Sequence, residues 1–195
     1  MWAHLLPMMT YCFVMSSTPG PNNLLLATSS ATFGYRRALP QIFGTNSGVA
    51  MLTFFMCLGL GQVFTAYPVL RGTLRVCGAL YLIFLAYQLS GSAAGALRSA
   101  KPLSFAQAAL FQVVNPKSWV KSITLASVFM PAGLSTPAGA MLVAAVGLLI
   151  GFPSASLWAL FGISIRRLLN DPRKRRVFNL SMAAMMVVLA LNFLR

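Results

Sequence analysis

The stretch SSTPGPNN, residues 16–23, interrupts a long apolar run near the N-terminus, with HLLPMMTYCFVM before it and LLLATSSATF after it. Proline has no backbone N–H, so Pro19 and Pro21 each leave the carbonyl four residues earlier without its helical partner. Gly20 between them can adopt torsions that other residues avoid. The stretch therefore predicts an unwound joint inside an apolar helix, with a new half-helix starting at Pro21.

The composition is that of a membrane protein. Of the 195 residues, 58% are hydrophobic and 8% are charged, which is too apolar for a water-soluble domain of this size. The net charge of +14 does not predict nucleic-acid binding, because the cations punctuate hydrophobic runs rather than line one helical face. The three cysteines lie in separate segments without CxxC spacing and His4 is the single histidine, so we expect neither a metal site nor a cofactor.

Six apolar segments meet or approach the roughly 20 helical residues that cross a bilayer core. They predict an all-α integral membrane protein with six transmembrane helices in one domain, residues 1–195. The segments lie near residues 4–33, 40–66, 69–90, 105–130, 138–163 and 177–194.

The basic residues predict an orientation in the membrane. Short loops rich in Lys and Arg stay in the cytoplasm, and the loops after segments one, three and five hold ten of the fifteen cations. Both termini should therefore face outward. The last of these loops, RRLLNDPRKRR, is interpreted as an anchor that also attracts anionic lipid. Asp171, the only acidic residue, should cap or turn this loop beside Pro172. The ten cations are Arg36, Arg37, Arg98, Lys101, Arg166, Arg167, Arg173, Lys174, Arg175 and Arg176.

A second interrupted stretch, FQVVNPKSWVKS, lies in segment four. Its Pro116 follows Pro19 by 97 positions (116 minus 19), almost half the chain. The pairs Gly44/Gly48 and Gly147/Gly151 lie in the second segment of each half, 103 positions apart (147 minus 44), and allow close helix approach. Three spans per half predict a 3+3 inverted repeat, residues 1–97 and 98–195, with broken helices one and four and the binding site where they meet.

The first break predicts a site for a zwitterion. The N–H groups of a half-helix that starts at Pro21 favour a carboxylate, while freed carbonyls on the other side of the break suit an ammonium. Asn22 and Asn23 add amide donors and acceptors. An amino acid fits this pairing of groups.

The second break adds charged and polar candidates. Pro116 frees the Gln112 carbonyl, and Lys117 places an ammonium inside an apolar segment, with Lys121 one turn further on the same face. Both lysines either face a water-filled route or snorkel to an interface. Asn46 either binds substrate or bonds a neighbouring helix. The predicted substrate-binding residues are Pro19, Gly20, Pro21, Asn22, Asn23, Asn46, Gln112, Asn115, Pro116 and Lys117.

The segment TPGPNNLLLATSSATFGYRRA, the glycine-bearing second segment and the NPK triplet resemble the LysE/RhtB family of bacterial amino-acid exporters. The likeness covers essentially the whole chain in length, number of segments and motif positions. Within the family, TPGPNN followed by SSAT, the AKPLSF loop, FQVVN and LWAL look most like the branch that exports cysteine and O-acetylserine.

This resemblance implies export of small neutral amino acids or derivatives, of the cysteine, O-acetylserine, homoserine or threonine type, across the bacterial inner membrane. It also implies that the proton gradient drives export. Some family members have an acidic residue directly after the first motif or within the fifth span, where this chain has Asn22 and Gly151-Phe152-Pro153. A basic substrate such as lysine is therefore disfavoured.

Other function classes stay open at the level of sequence. A non-transporting membrane subunit or assembly factor is the main alternative, because breaks can also serve helix packing alone. An enzyme is least favoured, since the chain has no Walker motif, no paired nucleophile and base, and no metal-binding constellation. The expected partners are a small amino-acid substrate and the lipid bilayer, and a homo-oligomer is left open.

Overall fold

The computed structural model describes residues 2–90, 102–165 and 171–194, and within these ranges the chain forms helices and no strand. The predicted all-α class is confirmed. A five-residue π-helical segment, Met56–Leu60, joins α3 to α4. The α-helices are α1 Trp2–Ser17, α2 Pro21–Phe33, α3 Tyr35–Phe55, α4 Gly61–Ala66, α5 Pro68–Ser90, α6 Phe105–Val114, α7 Pro116–Val128, α8 Thr136–Ser164 and α9 Pro172–Leu194.

Both predicted breaks are present. Between α1 and α2 the backbone at Gly20 is extended, with φ −179° and ψ 172°, and α2 begins at Pro21 as predicted. Between α6 and α7 a single residue, Asn115, leaves the helical conformation with φ −84° and ψ 110°. Its side-chain oxygen accepts a hydrogen bond from the Lys117 N–H at 3.1 Å and so caps α7.

Two glycines with positive φ interrupt the helices further. Gly34, with φ 85°, separates α2 from α3 where segment one was expected to end, although α3 begins at Tyr35 rather than near residue 40. Gly59, with φ 106° in the π-helical segment, was not predicted. Both torsions lie in the left-handed region that favours glycine. Segment two was expected as one continuous helix. Instead, a π-helical turn separates α3 from α4, as π-helical turns inside longer α-helices do.

Two helical stretches in the described ranges have the length and apolar character needed to cross a membrane. They are Tyr35–Leu60, with 26 residues and a mean hydropathy of 1.4, and Thr136–Ser164, with 29 residues and 2.0. The breaks leave α1 with 16 residues, α2 with 13, α6 with 10 and α7 with 13. Each of these pieces alone is shorter than the roughly 20 residues that a span needs.

The helices α3 and α8 hold the centre of the fold. The helix α3 packs on α6 and α8, α8 also packs on α1 and α2, and α5 packs on α9. A Cβ at Gly44 would meet the Phe105 carbonyl oxygen, and one at Gly48 would lie 2.6 Å from the Ala109 oxygen. Small residues thus let the α3 and α6 backbones approach closely, which brings Asn46 near the second break.

The predicted equivalence of the second glycine pair holds only in part. A Cβ at Gly151 would meet the amide oxygen of Asn46, so this position requires glycine. At Gly147 the nearest atom would be Leu125 Cδ1 at 4.0 Å, which is an ordinary contact. The close approach predicted for Gly147 is therefore wrong.

The basic loop before α9 is described from Asp171 onward. The Asp171 carboxylate accepts hydrogen bonds from the N–H groups of Arg173 at 2.8 Å and Lys174 at 3.4 Å. Its predicted role as a cap is confirmed, because these N–H groups belong to the first turn of α9. Four of the ten cations used for the orientation lie outside the described residues: Arg98, Lys101, Arg166 and Arg167.

Candidate substrate site

The carbonyl groups that the first break frees are bound by nearby side chains. The Asn23 amide donates to the Ser16 oxygen at 2.7 Å and to the Thr18 oxygen at 2.9 Å. The Thr18 hydroxyl donates to the Met15 oxygen at 3.2 Å. Buried carbonyls without partners are costly, so Asn23 stabilises the unwound joint as well as lining the site.

Two residues of the second half also bind this joint. The Lys117 ammonium donates to the Thr18 oxygen at 2.7 Å, the Thr18 hydroxyl at 2.8 Å and the Pro19 oxygen at 3.2 Å. The Trp158 indole donates to the Ser17 oxygen at 3.0 Å. The carbonyls of Met15 and Ser17, which the sequence predicted to lose their helical partners, therefore have side-chain partners. The sequence predicted that freed carbonyls would suit the ammonium of a substrate. In this conformation the Lys117 ammonium and the neighbouring side chains bind them instead, so they are not free for a substrate.

An amide pair joins the two breaks directly. Asn22 donates to the Gln112 oxygen at 2.9 Å, and Gln112 donates back to the Asn22 oxygen at 3.1 Å. The same Gln112 oxygen accepts from Ser118 at 2.7 Å and Asn115 at 3.3 Å, while its nitrogen also donates to the Ala108 carbonyl at 2.7 Å. Gln112 is 1% exposed, and this full set of partners fixes its orientation.

The second break is bound in a similar way. The Gln112 carbonyl, which Pro116 deprives of its helical partner, accepts from the Asn115 N–H at 3.4 Å. The Trp119 indole donates to the Val113 carbonyl at 2.7 Å. Each break thus has one indole N–H on a freed carbonyl, from Trp158 at the first and Trp119 at the second. The sequence did not indicate either bond, because an indole alone does not show which carbonyl it meets.

A cavity lies beside the two breaks and holds about 460 Å³ of atom-free space, its open mouth included. Its walls come from both halves of the chain and combine amide, hydroxyl, ammonium and apolar groups. The lining residues are Met15, Ser16, Gly20, Asn22, Asn23, Thr45, Asn46, Val49, Lys117, Ser118, Lys121, Gly151 and Ala155.

Lys121 is the most enclosed charged group of the cavity. It is 6% exposed, and its ammonium donates to the Ser16 hydroxyl at 2.8 Å. Both Lys117 and Lys121 line the cavity, so the prediction from their spacing that they share one face is confirmed. Burial in the bundle rules out the alternative that Lys121 snorkels to an interface in this conformation.

Asn46 lines the cavity from α3. Its amide nitrogen donates to the Ile42 carbonyl at 2.8 Å, and its side-chain oxygen points to the glycine at position 151. Asn46 therefore presents an acceptor on the wall that faces the breaks, and it is 8% exposed.

The ten sequence-predicted residues divide into three groups. Five line the cavity: Gly20, Asn22, Asn23, Asn46 and Lys117. Gln112 reaches the site through its bond to Asn22. The remaining four shape the breaks without lining the cavity: Pro19, Pro21, Asn115 and Pro116.

Several lining residues escaped the sequence prediction. Ser16 lies inside the quoted stretch and Ser118 directly follows the NPK triplet, so their proximity to the breaks was the available signal. Thr45, Val49 and Ala155 are ordinary residues of apolar helices and carry no such signal.

The profile of LysE type translocators matches residues 13–195. Curated relatives include the cysteine/O-acetylserine efflux proteins of Escherichia coli strain K12 and Shigella sonnei strain Ss046. Each is 28% identical over 186 residues, which cover 94% of this chain and 93% of the relative. No solved structure matches the chain significantly. Because the profile covers nearly the whole chain, this protein belongs to the LysE type translocator family.

Proposed function

We propose that this chain is a secondary active exporter of small neutral amino acids or their derivatives in the bacterial inner membrane. It has six spans arranged as a 3+3 inverted repeat, with residues 1–97 and 98–195 as the halves. The observation that carries the proposal is the direct bonding of the two breaks beside one cavity, through Lys117 with Thr18 and Asn22 with Gln112. Broken helices that meet at a polar cavity are the usual substrate site of such repeats.

The chemistry of the cavity supports a zwitterionic substrate. The ammonium groups of Lys117 and Lys121 line the cavity, and the first-turn N–H groups of α2 have no carbonyl four residues back within the helix. Asn46 and Thr45 supply neutral oxygen atoms for an amino group. No acidic side chain is found among the described residues that line the cavity, which disfavours a second positive charge on the substrate. The names of the relatives favour cysteine and O-acetylserine within this class.

Transport then requires the two halves to rock against each other around the cavity. The bonds of Lys117 and of the Asn22–Gln112 pair hold the breaks together in the present conformation, and alternating access breaks and remakes them. The proton gradient supplies the driving force. The substrate is moved without covalent change, so no catalytic residue takes part.

Efflux from proteoliposomes tests the proposal. Purified protein is reconstituted with labelled cysteine, O-acetylserine, homoserine or threonine inside, with and without an imposed proton gradient. We expect efflux of at least one compound above protein-free liposomes, and faster efflux with the gradient. Failure to move any of the four or a close derivative overturns the function. Equal rates with and without the gradient overturn the driving force alone.

A further inference from the structure

The buried Lys121 ammonium has one hydrogen-bond partner among the described residues, the hydroxyl of Ser16. An ammonium has three N–H donors, so two remain for other groups. The side chain is 6% exposed and lines the cavity. A buried charge is stable only when it is paired and hydrogen-bonded. We therefore looked for the group that pairs with the Lys121 ammonium.

Lys121 has no carboxylate partner among the described residues, and the titratable group that interacts with it is the Cys12 thiol, which is buried in an apolar cluster. Asp171 is the only acidic residue of the sequence, and it is exposed and bound to the first turn of α9. Lys117 differs, because its three donors meet two carbonyls and a hydroxyl at the C-terminal end of α1. A helix C-terminus carries partial negative charge and compensates a cation there. Lys121 reaches the last turn of α1 through the Ser16 hydroxyl, and among the described residues it bonds none of the carbonyls there.

We infer that the Lys121 ammonium binds the carboxylate of the transported compound, and that a free carboxylate is the feature that the cavity requires. This inference rests on the proposed function and names the group that the site recognises. In this arrangement the carboxylate is the missing counterion, and charge-assisted hydrogen bonds to it are stronger than neutral ones. The Ser16 hydroxyl holds the ammonium in place.

The neutral residues of the lining explain why the amino group of the substrate contributes less to recognition than its carboxylate. Asn46 and Thr45 present neutral oxygens, and the Asn46 nitrogen is already engaged by the Ile42 carbonyl. A neutral acceptor binds an ammonium less strongly than a carboxylate does. Loss of the substrate's amino charge should therefore cost less affinity than loss of its carboxylate.

The first experiment compares matched ligands on the unmodified protein. Threonine, its carboxamide and N-acetylthreonine are titrated into purified protein, and each compound is also tested as an inhibitor of efflux. We expect the carboxamide to bind at least about tenfold more weakly than threonine, as the loss of one charge-assisted bond implies. N-acetylthreonine should lose less affinity. Equal binding of threonine and its carboxamide overturns the inference.

The second experiment assigns the preference to Lys121. In Lys121→Met the ratio of acid to carboxamide affinity should fall to about one, whereas Lys121→Arg should retain a preference for the acid. Lys174→Met, on the exposed first turn of α9, is the matched control and should keep the original ratio. Because the readout is a ratio within each variant, lower expression does not mimic the effect. An unchanged ratio in Lys121→Met overturns the inference.

The two proposals fail separately. Efflux of amino acids without any carboxylate preference overturns the inference and leaves the exporter function intact. Lys121-dependent binding of threonine without efflux of any amino acid overturns the exporter function and leaves the carboxylate site intact. If Lys121→Met does not fold, the ligand comparison on the unmodified protein and Lys121→Arg still decides the inference.

Discussion

The Lys117 ammonium lies 2.7 Å from the carbonyl oxygen of Thr18, a residue 99 positions earlier in the chain. Lys117 is the second residue of α7, where the positive end of its own helix dipole disfavours a cation. The C-terminal carbonyls of α1 offset this by presenting partial negative charge. The charge of one broken helix is thus stabilised by the end of the other.

Replacing Lys117 should uncouple the two breaks. Lys117→Met removes three donors from the end of α1, so we expect the free energy of unfolding to fall by about 1.5–3 kcal/mol and efflux to fall at least about tenfold. Lys117→Arg should keep part of both. Efflux per reconstituted protein and unfolding in mixed micelles provide the measurements, with Lys174→Met as control. Normal efflux in Lys117→Met contradicts the proposed role of this contact.

Gly20 should not tolerate a side chain. A Cβ there would lie 2.9 Å from Lys117 Cδ and 3.1 Å from its Nζ, so Gly20→Ala displaces the ammonium from the joint. We expect a loss of efflux close to that of Lys117→Met. Gly72→Ala is the matched control, because no atom lies within 4 Å of a Cβ at that position. Adding Gly20→Ala to Lys117→Met should cost little more, and full additivity argues against displacement.

The Asn22–Gln112 amide pair should show energetic coupling. Asn22→Ala, Gln112→Ala and the double variant form a cycle, and the two reciprocal bonds predict a coupling of about 1 kcal/mol in unfolding free energy. Asn22→Ala combined with Ser127→Ala is the control, since the Ser127 hydroxyl bonds only to carbonyls of its own helix. Coupling indistinguishable from the control pair would count against this contact.

The two tryptophans should contribute through their N–H groups. Trp158→Phe and Trp119→Phe keep an aromatic ring but leave the Ser17 and Val113 carbonyls without these donors. Trp158→Phe should lower the free energy of unfolding by about 1–3 kcal/mol, because it leaves a partly buried carbonyl without its partner. Trp119→Phe should lower it by about 0.5–1.5 kcal/mol, because its bond is exposed. Trp158→Phe should also slow efflux, because it alters the joint beside the cavity. Wild-type stability of both variants contradicts this explanation.

Single cysteines should report the orientation of the spans. The native cysteines Cys12, Cys57 and Cys77 are first replaced by Ala, and one new cysteine is then introduced at a time, by Gly133→Cys or Arg173→Cys. Position 133 lies in the exposed turn before α8, and position 173 lies in the basic first turn of α9. The charge pattern predicts an outward position 133 and a cytoplasmic position 173. A membrane-impermeant thiol reagent applied to intact cells should label the first and not the second. Labelling of both or neither contradicts the six-span arrangement.

The sequence predicted the breaks well because their causes are local. Proline removes a donor wherever it occurs, but a proline alone does not specify a break, because Pro7, Pro40 and Pro153 lie inside continuous helices. The two breaks were recognised because a glycine or an asparagine stands beside the proline in TPGPNN and in NPK. The (i, i+4) spacing likewise placed Lys117 and Lys121 on one face. These features depend on the covalent chain and on helix geometry alone.

The partners of the breaks could not be predicted in the same way. The packing of α1, α7 and α8 determines that Lys117 contacts Thr18 and that Trp158 contacts Ser17. Gly59 was missed for a related reason, since one glycine among the 15 of the chain is a weak sign of a π segment. These contacts depend on tertiary packing, which cannot be predicted from local patterns in a single sequence.

The separation of 99 positions between Thr18 and Lys117 also affects biosynthesis. At synthesis rates of about 5–20 residues per second, the carbonyls at the end of α1 wait roughly 5–20 s for their lysine. During that interval Asn23, only five residues from Thr18, is the partner already made. The nascent first half therefore enters the membrane with a partly bonded joint, which Lys117 on α7 and then Trp158 on α8 complete.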